Sequence, residues 1–284
     1  MNMNKVLRLS VLCLMLFSIV GCSGSDKRKR PKYNEETETA ASKKDVKNVV
    51  YTKYGIPLPV ELFTYMVKEE IPYNVDLLLS SHTREKYAKE TKQAMILGVY
   101  SADMAYCSSY GRQQEVLTYF GAASKIADRL DISEGFSFES VERISNNVQR
   151  ADSLSAIANE TYWKACNYLD ENDKNNILPF VIYGGWVESQ YLTIASNDLK
   201  STKEVIVDQK QGLLNLIRYF LDVTVESSAF YYSGDIKKIV MRLDNIKNVY
   251  EKIPGKDIDP QLYKDISVKI TAMRNELIDP KSDL

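Results

Sequence analysis

Between about Val49 and Asp279, apolar residues recur three and four positions apart, which is the spacing of one helix face. The stretch Asn172 to Asn197 is the one around which the rest is organised. Ile177, Phe180, Val181, Gly184, Tyr191, Leu192 and Ala195 fall on one stripe, and Glu188 falls on the same stripe one turn after Gly184. A charge therefore stands where core is expected. Two adjacent glycines, Gly184 and Gly185, cost about 1 kcal/mol each relative to alanine inside a helix, so a neighbouring helix is expected to cross closely over their bare backbone.

The other segments read the same way. Pro57 and Pro59 open a helix over Val60 to Glu70 that Pro72 ends, and a second is expected to begin near Asn74 and bend around Ser80-Ser81-His82. A third, Arg84 to Tyr110, carries the small residues Ala94, Gly98, Ala102, Ala105 and Ser109 on one side, and Gly111 stops it. Gln113 to Leu130 has near-ideal amphipathic spacing; Phe138, Val141, Ile144 and Val148 form the next stripe, and Leu154, Ile157, Ala158, Ala165 and Leu169 the one after. Beyond the central helix come Thr202 to Tyr232, Ile236 to Ile253, and a last helix from Pro260 to Ile278.

Extended alternation is confined to Val49 to Tyr54. Long helices with short connections predict an all-α fold, an antiparallel multi-helix bundle or packed helical hairpins, with about nine helices. No repeat of the tetratricopeptide kind holds over three units. The Ala94, Gly98, Ala102, Ala105 stripe is the natural partner for Gly184 and Gly185, and this crossing would bring Asp103 near Glu188. Leucine at Gly184 should overpack such a contact, whereas alanine is tolerated if the gap admits one methyl.

Candidate chemistry is sparse. Asp103 and Glu188 each sit beside a tyrosine in an acid-x-x-Tyr pattern, with Tyr106 and Tyr191, so these four form a candidate polar cluster. Paired acids can do general acid and base work. The alternative role is structural, each carboxylate accepting hydrogen bonds from tyrosines or from an arginine such as Arg112, Arg218 or Arg242. Tyr100, Tyr106, Tyr110, Tyr183 and Tyr191 either line a groove for a sugar or peptide or finish a helical core. A ferritin-like metal site needs Glu-x-x-His pairs, and the chain has a single histidine, His82, in what reads as an exposed helix boundary. Phosphate loops and Cys-x-x-Cys are missing from the sequence, so neither metal nor cofactor is expected.

The N-terminus changes the picture. Lys5 and Arg8 form a positive n-region, and Val6 to Val20 is mostly apolar with a continuous core from Val11 to Phe17, too short to span a membrane as a mature helix; it ends in Ile19-Val20-Gly21-Cys22. These four residues resemble the bacterial lipobox. The resemblance implies a signal peptide over residues 1–21, and a Cys22 that carries a thioether diacylglycerol and an amide-linked acyl chain. Three chains anchor firmly, since each buried methylene contributes about 0.8 kcal/mol.

Losing Lys5 and Arg8 and no acid takes the formal net charge from −1 to −3, and nothing suggests nucleic acid. Cys107 and Cys166 would then share an oxidising compartment; we read them as small buried residues, since spacing alone does not bring two sulfurs into bonding reach. Residues 22–48 are polar, with the basic run Lys27 to Arg30 and then Glu35, Glu36 and Glu38, and read as a tether with a span on the order of 25 to 30 Å. Residues 49–284 are the single helical domain. With Ser23 rather than aspartate after the cysteine, the signal for inner-membrane retention is lacking, and the outer membrane is the expected location, on its periplasmic face or at the cell surface.

Leu97-Gly98-Val99-Tyr100-Ser101-Ala102-Asp103-Met104-Ala105-Tyr106, with Gly184 to Tyr191 downstream and the lipobox ahead, resembles a group of helical lipoproteins of Bacteroidota. That resemblance implies an envelope origin and a helical fold and ties no activity to the motifs. Imelysin-like lipoproteins are also helical, but their Gly-x-His-x-x-Glu motif is not matched, since Trp186 and Val187 precede Glu188. The expected function is a membrane-anchored, non-enzymatic binding or assembly module, its partners being membrane lipid through Cys22 and an envelope protein, peptide or glycan. The alternative is an envelope hydrolase or lyase using Asp103 and Glu188 as acid and base.

Overall fold

Proline and capping signals decide where several helices begin. Pro59 stands at the start of α1 (Pro59–Lys68). Asp259 caps α9 (Pro260–Ile278), its carboxylate accepting from the amides of Gln261 and Leu262 at 2.8 and 2.9 Å. In this computed structural model the described residues are 53–284, apart from 134–135, 137, 148–149, 173, 175, 197–198 and 227–232. The signal peptide, Cys22, the tether and most of the alternating stretch Val49 to Tyr54 lie outside them. Residues 46–284 belong to one compact unit.

Between α1 and α9 lie α2 (Glu90–Ser109), α3 (Gln113–Arg129), α4 (Phe138–Asn146), α5 (Ala151–Glu171), α6 (Leu178–Ala195), α7 (Leu199–Glu226) and α8 (Ser233–Tyr250). The fold is all-helical, with no strand among the described residues. None of these helices is long and apolar enough to cross a membrane.

Two helices form the centre. Every residue of α2 from Ala94 to Ser108 is buried, as is every residue of α6 from Leu178 to Gln190. A helix that is apolar or small on all sides has no face to offer water. α2 and α6 share the most extensive contact in the domain; α1, α3 and α5 pack around α2, and α1, α7 and α9 around α6. The stripe on α6 is thus only the part of an all-round buried surface that faces α2. By contrast α3 is amphipathic and buries Val116, Tyr119, Phe120, Ala123 and Ile126 on one side.

The crossing is made backbone to backbone. A Cβ on Gly98 would stand 2.0 Å from the Val181 carbonyl oxygen and 2.6 Å from the Gly185 nitrogen. One on Gly184 would stand 2.0 Å from the Met95 carbonyl oxygen. The gap admits no methyl at Gly184, so the condition under which alanine would be tolerated there is not met: the atoms in the way belong to the partner's main chain and cannot rotate aside. Gly185 is different: its Cβ would meet Gly98 no closer than 3.4 Å, at the carbonyl oxygen, an ordinary contact.

Several boundaries differ from the sequence reading, three of them by more than a turn or in kind. The helix expected near Asn74 is instead two 3₁₀ turns, Val75–Leu77 and Ser81–Lys86, and α2 begins at Glu90 rather than Arg84. The Asn74 side chain accepts from the Asp76 amide at 2.9 Å, which closes a turn rather than starting an α-helix. α6 begins at Leu178 rather than Asn172, since Pro179 occupies its first turn, where a missing N–H leaves no hydrogen bond unmade.

Candidate functional site

Close packing at Gly98 and Gly184 places Asp103 and Glu188, each one turn or so further along its helix, in the same dry region. Both are 0% exposed. Arg274 reaches them from α9, donating from Nε to Glu188 Oε2 at 3.1 Å and from Nη2 to Glu188 Oε1 at 3.2 Å. This is a two-point fork on one carboxylate, the geometry a guanidinium is shaped for. The remaining capacity of Nη2 goes to the Leu77 carbonyl at 3.3 Å, and the guanidinium carbon stacks 4.5 Å from the Tyr191 ring centroid.

Asp103 accepts from the Leu79 amide through Oδ2 at 3.3 Å, while Oδ1 has no hydrogen-bond partner of good geometry. Burial, and then the charge of Glu188, push its carboxyl well above the usual range. Burial also raises Glu188, but Arg274 and its hydrogen bonds oppose the shift. One guanidinium neutralises one carboxylate, so Glu188 is the ionised member and Asp103 keeps its proton.

A pH dependence follows from the raised Asp103. Below the ordinary aspartate value of about 3.9, folded and unfolded chains are both protonated there, and the contribution to stability is full. As pH rises the unfolded chain ionises freely and the folded one resists, so stability is lost until the folded value is passed. Asp103→Asn keeps an oxygen for Leu79 and cannot titrate. Its melting temperature should therefore match wild type most closely near pH 3 and exceed it by a margin that widens as pH rises. Melts of the two proteins from pH 3 to 8 check this; a margin that shrank with pH would mean that Asp103 is ionised in the fold.

The four residues singled out from sequence fall into two groups. Asp103, Glu188 and Tyr191 meet around Arg274. Tyr106 belongs to a separate aromatic group, stacked on Tyr73 at 5.2 Å and edge-on to Phe63 at 5.2 Å, its hydroxyl accepting from the Asn74 amide at 3.0 Å. The arginine was not among those named: Arg112 lies over Tyr73, Arg218 over Tyr54, and Arg242 pairs with Glu276. A signal for Arg274 exists, because it stands four residues after Ile270, between Met273 and the buried Leu277.

What Asp103 and the tyrosines share is the irregular connector 71–80. Tyr110 donates to the Ile71 carbonyl at 2.7 Å, and Tyr100 to the Ser80 carbonyl at 3.0 Å. With Asp103 on the Leu79 amide and Tyr106 on the Asn74 amide, one side of α2 satisfies main-chain groups that a helix would have paired internally. Tyr183 is wholly buried against Phe220, its hydroxyl without a partner. Cys107 and Cys166 are buried free thiols, and His82 is exposed. Among the described residues, no three His, Cys, Asp or Glu side chains gather as they would to hold a metal ion.

No family model, curated protein or solved structure matches this chain. The functional reading therefore rests on the residues and their geometry.

Proposed function

We propose that the protein is a lipoprotein of the bacterial envelope, held in the outer membrane by acylated Cys22, whose helical domain binds or assembles with an envelope component and is not a hydrolase or lyase. The observation that carries the reading is the state of the acid pair. A catalytic pair needs room for a substrate between its carboxyl groups, and glycosidase pairs keep roughly 5 to 10 Å for it. Here neither carboxyl group is reached by solvent, Glu188 is committed to Arg274, and Asp103 to the connector. Such a cluster ties α2, α6, α9 and residues 77–79 together. The lipobox-like Ile19-Val20-Gly21-Cys22 and the polar stretch behind it support the envelope part.

The test is metabolic labelling with an acyl analogue in cells making wild type or Cys22→Ser. Wild type should take up label and sediment with outer membranes; the variant should take up none and be released or left unprocessed. Wild-type protein that was cleaved, soluble and unlabelled would end the proposal. Protease shaving of intact cells then tells the periplasmic face from the cell surface.

A further inference from the structure

Away from the acid pair, and besides the Tyr183 hydroxyl, α6 carries two buried polar groups with an unsatisfied atom. Trp186 is 4% exposed and its indole Nε1–H has no acceptor. Gln190, one turn on, is 1% exposed; its Nε2 donates to Gln209 Oε1 at 3.0 Å, and this leaves Gln190 Oε1 with no donor. Buried groups of this kind are nearly always paired, and leaving one unpaired costs on the order of 1 to 3 kcal/mol. Both line the same cleft, of about 480 Å³ with its open mouth included. The other walls are apolar or neutral: Trp163 and Tyr162 from α5, Ile182 from α6, and Ile56, Pro57 and Leu58 from the segment leading into α1.

That leading segment is built onto α7. Pro57 seats against the bare backbone of Gly212, where a Cβ would come within 2.7 Å of the proline ring. Asn215 donates to the Gly55 carbonyl at 3.0 Å, and Tyr54 packs edge-on to Tyr219 at 5.0 Å. The cleft wall is thus a defined structure. Its lining contains no charged side chain, so a charged ligand would enter without a counter-charge, at a high desolvation cost.

We propose that this cleft binds an uncharged alcohol, a molecule with a slender apolar body and a terminal hydroxyl. The cleft is narrow, and the unpaired atoms of two of its lining residues are one donor and one acceptor on adjacent turns of the same helix face. A hydroxyl is the organic group of that size that both accepts and donates. It accepts from Trp186 Nε1–H and donates to Gln190 Oε1, while the apolar body lies along Ile56, Leu58, Ile182 and the Trp163 ring. The inference deepens the binding-module reading and names the site and ligand chemistry for it.

Both tryptophans of the chain line the cleft, so tryptophan signals report on it directly. The full lipidated chain in lipid nanodiscs is titrated with 1-hexanol, 1-fluorohexane and hexanoate, protein-free nanodiscs setting the free concentration of each. The expected result is a saturable shift of the Trp186 indole N–H resonance by 1-hexanol, with affinity roughly tenfold or more above that for the other two, as two hydrogen bonds would give. Trp186→Phe should erase that preference, and the ranking on unaltered protein stands even if the variant is unstable. Equal binding of 1-hexanol and 1-fluorohexane, or no saturation by any probe, overturns the proposal. So does a long-lived water contact to the Trp186 indole proton that persists at saturating 1-hexanol. Failure here with labelled, membrane-bound protein strikes the cleft alone, whereas loss of labelling strikes the anchor, and the same titration of the unlipidated full chain in buffer then reads the cleft.

Discussion

Gly184→Ala should come close to unfolding the domain, although alanine is the better helix former by about 1 kcal/mol. The added Cβ would stand 2.0 Å from the Met95 carbonyl oxygen, 2.8 Å from its carbon and 3.0 Å from its Cα. No rotamer change relieves contacts with a backbone, so α2 and α6 must separate along the most extensive interface of the fold. Overpacking in a core usually costs 1 to 3 kcal/mol; with main chain on both sides the loss should exceed about 3 kcal/mol, a large part of the 5 to 15 kcal/mol that holds a domain together. Gly98→Ala should behave alike, since its Cβ would strike Val181 and Gly185. Gly185→Ala is the internal control. Its nearest contact is 3.4 Å, so the gain in helix propensity should leave it as stable as wild type or slightly more so. Urea melts of the three variants decide the matter, and a Gly184→Ala protein that melted with wild type would mean the helices are further apart than described.

Arg274→Met should cost about 3 to 5 kcal/mol, the usual loss when one partner of a buried pair is removed and a charge is left behind. Glu188 would then have no cation within a 0% exposed site, and the Leu77 carbonyl would lose its donor. The sign with pH is definite. Without Arg274, burial is the dominant influence on Glu188 and raises its folded value, so the variant is least damaged below the ordinary glutamate range and loses stability as pH rises above it. Adding Glu188→Gln should recover a good part of the loss and flatten the pH dependence, because the charge that lacked a partner is gone. Thermal melts at pH 5 and pH 8 of the single and double variants measure both effects. An Arg274→Met protein with wild-type stability at pH 8 would show that the pair contributes nothing to the fold.

Both effects bear on how far the chain explains itself. α9 could be placed residue by residue because Asp259, Pro260 and the Ile266, Ile270, Met273, Leu277 spacing act within a few residues of one another. α3 and the breaks at Gly111 and Gly255, both at φ near +65°, are legible for the same reason. The glycine pairing across α2 and α6 was also readable, since close approach of two helices demands small residues on both. That a methyl fits at Gly185 and not at Gly184 was not readable, because a helical rotation of one residue decides which Cα faces the partner's carbonyl.

Residues 71–80 and Arg274 mark the limit from the other side. The connector has apolar residues that suit a helix, yet its amides and carbonyls are claimed by Tyr100, Asp103, Tyr106, Tyr110 and Arg274, up to 197 positions away in the chain. Local propensity is worth tenths of a kcal/mol per residue, and a set of buried hydrogen bonds outweighs it. The cleft beside Trp186 has walls from the segment before α1 and from α1, α5, α6 and α7, and no spacing rule joins these five. The chain by itself therefore determined most of the helices and the two bare backbones that would meet; only the tertiary structure decided that residues 71–80 form no α-helix, which acid keeps its proton, which arginine answers the other, and that Trp186 and Gln190 each leave a polar atom unsatisfied beside one cleft, because each depends on groups brought together from distant parts of the sequence.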